Sequence, residues 1–407
     1  MIETINTRLE RFRIFDLMNQ TVPVLIGIFI FLNPFPHSTA IKEICFYLSV
    51  VFVLILVSCK KTEFTIKTPL LIPFGLFVFW TFITLFFALD KSSSIHDFYS
   101  HLIRYIILYY IVVNFFCSKK RLFSLSWIIV ISTAIFYSWA LYLNYVILGV
   151  GLSHRFGGTL MEIQINSIGI IAIFSIILCI NLISSECNLY RKTLLFLSLF
   201  PLSLATLMTQ TRSSILAIFL SLSILFYKKK KVLVLLFIVL LLIISVFPVK
   251  NRFFNKNFFK NERIKNYFVI FEIIKDHPIV GIGYGMETFD KFINFESYSK
   301  KLPHNLQPEI LLKYPHCIFI EMASRVGIIG LIIFCYIMFV FIKMCWNSMK
   351  NGKEKYIQQW GLFVLSAFTM FFFIGFFEPV FMHMTEVVLF IILSMGTIVW
   401  RLSSDDK

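Results

Sequence analysis

The sequence predicts an all-α polytopic membrane protein with about twelve transmembrane helices and one helical loop outside the membrane. Three observations carry this reading. Of 407 residues, 58% are hydrophobic and only 15% charged, the mean hydropathy is +0.83, and phenylalanine alone contributes 49. A soluble domain carries about 45–50% apolar and about 25% charged residues, which excludes one soluble core. Apolar runs of spanning length recur along the chain, and the basic residues gather in alternate connections between them.

A spanning helix needs about 20 largely apolar residues, within a range of about 17–25. The runs are 17–33, 43–58, 69–88, 102–116, 123–149, 166–185, 193–209, 213–227, 232–249, 316–342, 357–377 and 380–400. Those at 43–58, 102–116 and 213–227 are short, which leaves their ends open. The first follows Arg8, Arg11 and Arg13 but meets Asn33-Pro34-Phe35-Pro36 instead of a small-residue cleavage site, so it reads as a retained span. The chain divides into residues 1–249 with nine spans, a loop at 250–315, and residues 316–407 with three spans and a tail.

Charge sets the orientation. The chain has 38 Lys+Arg and 22 Asp+Glu, a net +16, which in a soluble protein would suggest a nucleic-acid partner. More than half of the 38 lie instead in one alternate set of connections, among them Lys60, Lys61, Lys119 to Arg121, Arg191, Lys228 to Lys231, Lys343 to Lys355 and Arg401. The other short connections and nearby spans hold only Lys42, Lys91, Arg104, Arg155 and Arg212. The positive-inside rule then puts both termini in the cytoplasm and the long loop outside. The basic excess marks topology and implies no nucleic acid. All eight histidines fall on the outer side, either because outer loops collect polar residues or because proton transfer happens there.

Cysteine chemistry is not indicated. The eight cysteines lie within or beside spans and no pair has C-x-x-C spacing, so buried free thiols are expected and no metal site.

The loop is the one extramembrane piece long enough to fold. Residues 261–276 put Ile264, Phe268, Phe271 and Ile274 on one helical stripe. His277-Pro278 ends that helix, GIGYG (281–285) reads as a turn, and METFDKFINF (286–295) reads as a second amphipathic helix. Two such helices would lie on the outer membrane surface and roof a cavity. GIGYG superficially resembles a nucleotide-binding glycine loop, but it follows a helix, not a strand.

Several single residues stand out. Arg212, in Thr209-Gln210-Thr211-Arg212-Ser213, is either a snorkelling arginine or an anion-capturing fork at a helix start. Arg263 in the loop helix reads either as a solvated helix face or in the same way as Arg212. Arg155 sits in HRFGGT (154–159), where paired glycines let backbone approach whatever it touches. His316 follows Tyr314-Pro315 and opens the tenth span; alone it reads as interfacial or catalytic. Arg325 lies nine residues deeper, with Glu321 as its expected structural partner. Glu378 and Glu386 lie near the outer face, and nothing in their spacing makes them a glycosidase pair.

Together these features resemble the O-antigen ligase/polymerase superfamily of bacterial inner-membrane glycosyltransferases. The resemblance spans most of the chain and rests on four local motifs in order: HRFGGTLMEIQINSIG (154–169) with Arg155 and Asn166, TQTRSS (209–214), RIKNYFVIFEIIKDHPIVGIGYG (263–285), and PHCIFIEMASRVGIIGL (315–331). Each motif is weak alone; their order within this topology is specific. The chain departs from the family at Cys317, where asparagine often follows the motif histidine, and His304-Asn305 upstream competes with His316 for that role.

The resemblance implies a C-type glycosyltransferase fold and an active site facing the periplasm. It implies a donor glycan on undecaprenyl diphosphate and, for a ligase, a sugar hydroxyl of lipid A–core as acceptor. His316, Arg212 and Arg263 would be catalytic, with Arg155, Asn166, Gln210, His304 and Arg325 binding substrate. No cofactor is implied, and an inverting, metal-independent transfer is expected, with arginines supplying the positive charge. An O-antigen polymerase of the same superfamily is the alternative. A transporter or flippase is further away, since no half-to-half similarity is apparent.

Overall fold

The computed structural model describes residues 2–157, 164–245, 262–381 and 383–405. Residues 158 and 159 of the HRFGGT motif, the end of the ninth apolar run and the first part of the loop, to residue 261, lie outside the described residues. Each of the twelve apolar runs falls on a helix, and the described residues contain no strand. Nine of the described helices are long and apolar enough to cross a membrane; Leu71–Phe87 and Arg212–Leu225 are apolar but shorter. The ninth run is the helix Lys230–Ser245. Several ends differ from expectation: the second span begins at Pro36, the tenth runs on to Asn351, and the fourth begins at Lys91 rather than near 102, carrying Asp97 and His101 inside it as buried polar groups.

Local chemistry marks the helix starts. The side chains of Asp90, Ser118 and Asn188 accept from the backbone N–H of Ser93, Arg121 and Arg191, filling donors that the first helical turn leaves open. Ile165–Ser185 is buried almost all round, as a helix apolar on every face should be. It packs against Lys119–Leu141, Leu189–Met208, Lys355–Gly375 and His383–Asp405. The peripheral helices instead turn Leu54, Phe79, Phe86, Phe200 and Leu242 outward, the surface a lipid solvent requires.

The basic connections meet at one end of the bundle. Lys119 pairs with Glu354 at 2.6 Å, Tyr356 donates to the Lys119 carbonyl, and Arg401 donates to the Thr65 carbonyl at 3.0 Å.

The loop follows its expected outline with one correction. Its first helix, Glu262–Asp276, buries Val269, Ile270, Ile273 and Ile274 against Ile282, Phe289, Phe295 and Ala323. Of the apolar stripe read from the sequence, Ile274 is covered and Ile264, Phe268 and Phe271 stay exposed, while the neighbouring face packs against Ala323 of the tenth span. The second amphipathic helix, expected over 286–295, is shortened to Thr288–Lys291, and a separate helix, Phe295–Lys300, follows where the Asn294 side chain accepts from the Ser297 N–H.

GIGYG is a turn, and its role is to dock on the tenth span. That helix, Ile318–Asn351, is interrupted at Gly327, which has φ 73°. A Cβ there would lie 1.8 Å from the Ile279 carbonyl oxygen, so only glycine fits. The interruption frees backbone groups, and each finds a partner: Ile282 N donates to Ser324 O at 2.9 Å, Gly283 N to Arg325 O at 3.1 Å, and the Trp80 indole N–H to Val326 O at 2.8 Å. Ile328 N donates to Pro278 O at 2.9 Å. A break inside an apolar helix is tolerated when its groups are satisfied in this way.

Candidate active site

Glu378 is the centre of the site. It lies in the connection between the last two helices, nearly buried, and Ile374 and Phe372 carbonyls end the helix just before it. The Arg263 guanidinium donates to its two carboxylate oxygens at 3.1 and 3.3 Å, and also to the Phe377 carbonyl at 2.8 Å. Asn166, from the first turn of Ile165–Ser185, donates its side-chain N–H to Glu378 Oε2 at 2.7 Å. His316 Nδ1 stands 3.8 Å from the same oxygen. Three residues expected from sequence, from three distant segments, thus converge on a carboxylate that the sequence reading left without a role.

The electrostatics follow from this geometry. Burial pushes the Glu378 carboxyl up, but His316 and Arg263 more than offset it and hold the group below the ordinary carboxylate value. Glu378 therefore stays ionised and fixes both cations around it. Arg263 keeps 40% of its side chain exposed, so its fork is anchored on one side and open on the other. The Tyr267 hydroxyl donates to the His316 carbonyl at 2.9 Å and sets the backbone there. Burial raises that phenol to about 12, so it keeps its proton. His316 Nδ1 is buried and makes no hydrogen bond among the described residues.

Arg155, Gln210 and Arg212 form a second group beside the same helix start. Arg155 Nε donates to the Thr209 carbonyl at 2.9 Å, and Phe156 N to the Met208 carbonyl at 2.8 Å. The Gln210 amide reaches the Leu152 and Ser153 carbonyls at 3.4 and 3.3 Å, and its own backbone has φ 51°. These bonds hold the TQTR turn in a conformation that non-glycine residues rarely adopt. Arg212 then opens the helix Arg212–Leu225, and Ser214 packs on Gly169, three residues beyond Asn166.

The remaining expected residues lie elsewhere. His304 is exposed in a short 3-10 turn, so the structure brings His316, and not His304, to Glu378. Arg325 is buried within the bundle. It donates through Nε and Nη2 to the Tyr284 carbonyl, pairs with Glu321 at 3.0 Å as expected, and stacks over the Tyr284 ring. Its guanidinium ties the GIGYG turn to the tenth span. Glu386 pairs with His101 at 2.5 Å, so the two outer glutamates serve different partners. Among the described residues, no three His, Cys, Asp or Glu side chains converge as a metal-holding group.

Residues 196–335 match the family model described as O-antigen ligase. This supports the resemblance to the O-antigen ligase/polymerase superfamily seen in the sequence. The match covers Gln210, Arg212, Arg263, His304, His316 and Arg325; Arg155, Asn166 and Glu378 lie outside it. No curated protein matches the chain. The family, the many apolar helices and the polar cluster together support a glycosyltransferase-type membrane enzyme.

Glu378 was named in the sequence but given no role, since a lone acid before Pro379 has no spacing that marks its partners.

Proposed function

We propose that this protein is an O-antigen ligase of the bacterial inner membrane. It transfers O-polysaccharide from undecaprenyl diphosphate to a sugar hydroxyl of lipid A–core, at a site facing the periplasm. The observation that carries the proposal is the convergence of Arg263, His316 and Asn166 on Glu378, at the loop end of the bundle. The basic connections at the other end support cytoplasmic termini.

The chemistry suits these groups. The acceptor oxygen attacks the anomeric carbon, forming the new glycosidic bond as the bond to the diphosphate oxygen breaks. The hydroxyl proton passes to His316 and the electron pair leaves on undecaprenyl diphosphate. Arg263 and Arg212 neutralise the departing diphosphate, and the open N–H groups at the start of Arg212–Leu225 add to this. Glu378 acts through its neighbours: it aims the Arg263 fork and holds His316 beside it. Residues 1–249 and 316–407 would form the membrane body, with 250–315 as a periplasmic roof.

A deletion strain tests the proposal. Loss of the ligase should leave finished polymer on undecaprenyl diphosphate and none on lipid A–core. Single repeats on the core would instead make the protein a polymerase. Arg212→Ala and Arg263→Ala should each fail to restore smooth lipopolysaccharide; normal product from both would overturn their roles.

A further inference from the structure

A cavity of about 680 Å³ lies against the other side of the first turn of Ile165–Ser185. That size falls within the range of about 300–1,000 Å³ typical of sites that enclose small ligands. Its walls come from four separate stretches of chain: residues 90–101, residues 286–291, the pair Gln164 and Ser167, and the pair Phe381 and Met384. Gln164 and Ser167 flank Asn166, and Phe381, also in the wall, follows Glu378 by three residues. The cavity and the arginine cluster therefore share two structural elements but differ in chemistry.

We propose that this cavity binds the neutral, hydroxyl-rich end of an acceptor glycan. The proposal rests on the glycosyl-transfer reading above and adds the place and the charge class of the acceptor. The lining offers what sugar hydroxyls need. Asp97 accepts, Ser92 and Ser167 both donate and accept, and Gln164 carries one group of each kind. Phe381 and Met384 supply an apolar wall for the C–H face of a ring.

Charge decides against an anionic ligand. Asp90, Asp97 and Glu287 all line the cavity. The basic groups of the wall each face a carboxylate: Lys291 is bonded to Glu287, His96 lies 3.1 Å from Asp97 and His101 2.5 Å from Glu386, while the nearby Arg325 serves Tyr284 and Glu321 more closely than Asp97. A diphosphate would meet carboxylates here, where the arginine cluster offers it guanidinium groups. The polar groups are also set in place beforehand: Met286 N donates to Asp97 Oδ2 at 2.9 Å, and His101 is held by Glu386. Groups held in this way lose little freedom when a ligand arrives.

The test is direct binding to the full-length protein in detergent, by calorimetry. The probe is a core oligosaccharide freed of lipid and phosphate; inorganic pyrophosphate is the second probe. The wild-type protein should bind the oligosaccharide saturably. Ser92→Trp and Gln164→Trp, both at exposed wall positions, should weaken that binding at least tenfold while pyrophosphate binding and thermal unfolding stay unchanged. Arg263→Ala should lose pyrophosphate and keep the oligosaccharide. No saturable binding by the wild-type protein, or equal binding by the two tryptophan variants, would overturn the proposal. So would loss of the oligosaccharide in Arg263→Ala. A deletion strain with normal lipopolysaccharide would sink the ligase reading alone, because the binding measurement needs no turnover.

Discussion

The Arg263 guanidinium meets both oxygens of the Glu378 carboxylate, at 3.1 and 3.3 Å. One partner comes from the loop and the other from the connection between the last two helices, 115 residues apart. A loop helix that would otherwise only cover the bundle is thereby fixed to it at the site itself.

Removing the carboxylate should therefore disable more than one residue. Glu378→Ala should reduce glycan transfer at least a hundredfold, since Arg263 loses its anchor and His316 its neighbour. Glu378→Gln keeps the shape but not the charge, and should retain more activity than alanine. Arg263→Lys should not rescue, because an ammonium cannot reproduce the two-pronged contact. Transfer assays with purified lipid-linked donor and acceptor check the order; equal activity of wild type and Glu378→Ala would remove Glu378 from the site.

The same pair sets a pH dependence. Glu378 titrates below the ordinary value in the folded protein, through His316 and Arg263 acting against burial. A carboxyl of this kind adds stability above its unfolded value, about 4.3 for glutamate, and that stability fades as the pH falls through the lower, folded value. Glu378→Gln should thus cost about 1.5–3 kcal/mol at pH 7, the range for hydrogen bonds to charged groups. The gap to wild type should close below about pH 4. Unfolding midpoints in detergent across that range measure it, and a gap that widens in acid would contradict the assignment.

Gly327 should tolerate no side chain. Gly327→Ala would drive its Cβ into the Ile279 carbonyl at 1.8 Å, on a backbone with φ 73°, and the protein should fail to reach its folded state. Gly75→Ala is the control: it sits in the helix Leu71–Phe87 with nothing within 4 Å of the added carbon. There alanine should be neutral or stabilise by up to about 1 kcal/mol. Yield and thermal unfolding after detergent extraction separate the two.

Arg325 should behave as a structural residue. Arg325→Ala leaves Glu321 buried without its partner and the Tyr284 carbonyl without its donors, a loss of about 3–5 kcal/mol. Arg325→Lys should recover less than half, lacking the fork that reaches both. If Arg325→Ala unfolds like wild type, the residue is not the fastening described here.

Much of the fold was legible because lipid imposes a simple code. Runs such as 166–185 and 357–377 became helices nearly as bounded, since length and hydropathy are all that spanning requires. The loop was harder. Ile264, Phe268 and Phe271 have the same spacing as a buried stripe, and only packing on Ala323 and Ile282 shows that the adjacent face was used. For the site, Arg263, His316 and Asn166 could be named one by one from their motifs, but not their meeting point. Glu378 sits far from each in sequence, and a lone acid carries no periodicity or spacing to mark it.

The interlock at Gly327 couples two parts of the chain. The interruption of the tenth helix is filled by Pro278 and Ile279 of the loop. The shape of the tenth span is thus shared with the preceding loop, and His316 lies two residues before that helix begins. One seam, where Pro278 and Ile279 meet Gly327, therefore joins the loop that carries Arg263 to the helix that follows His316.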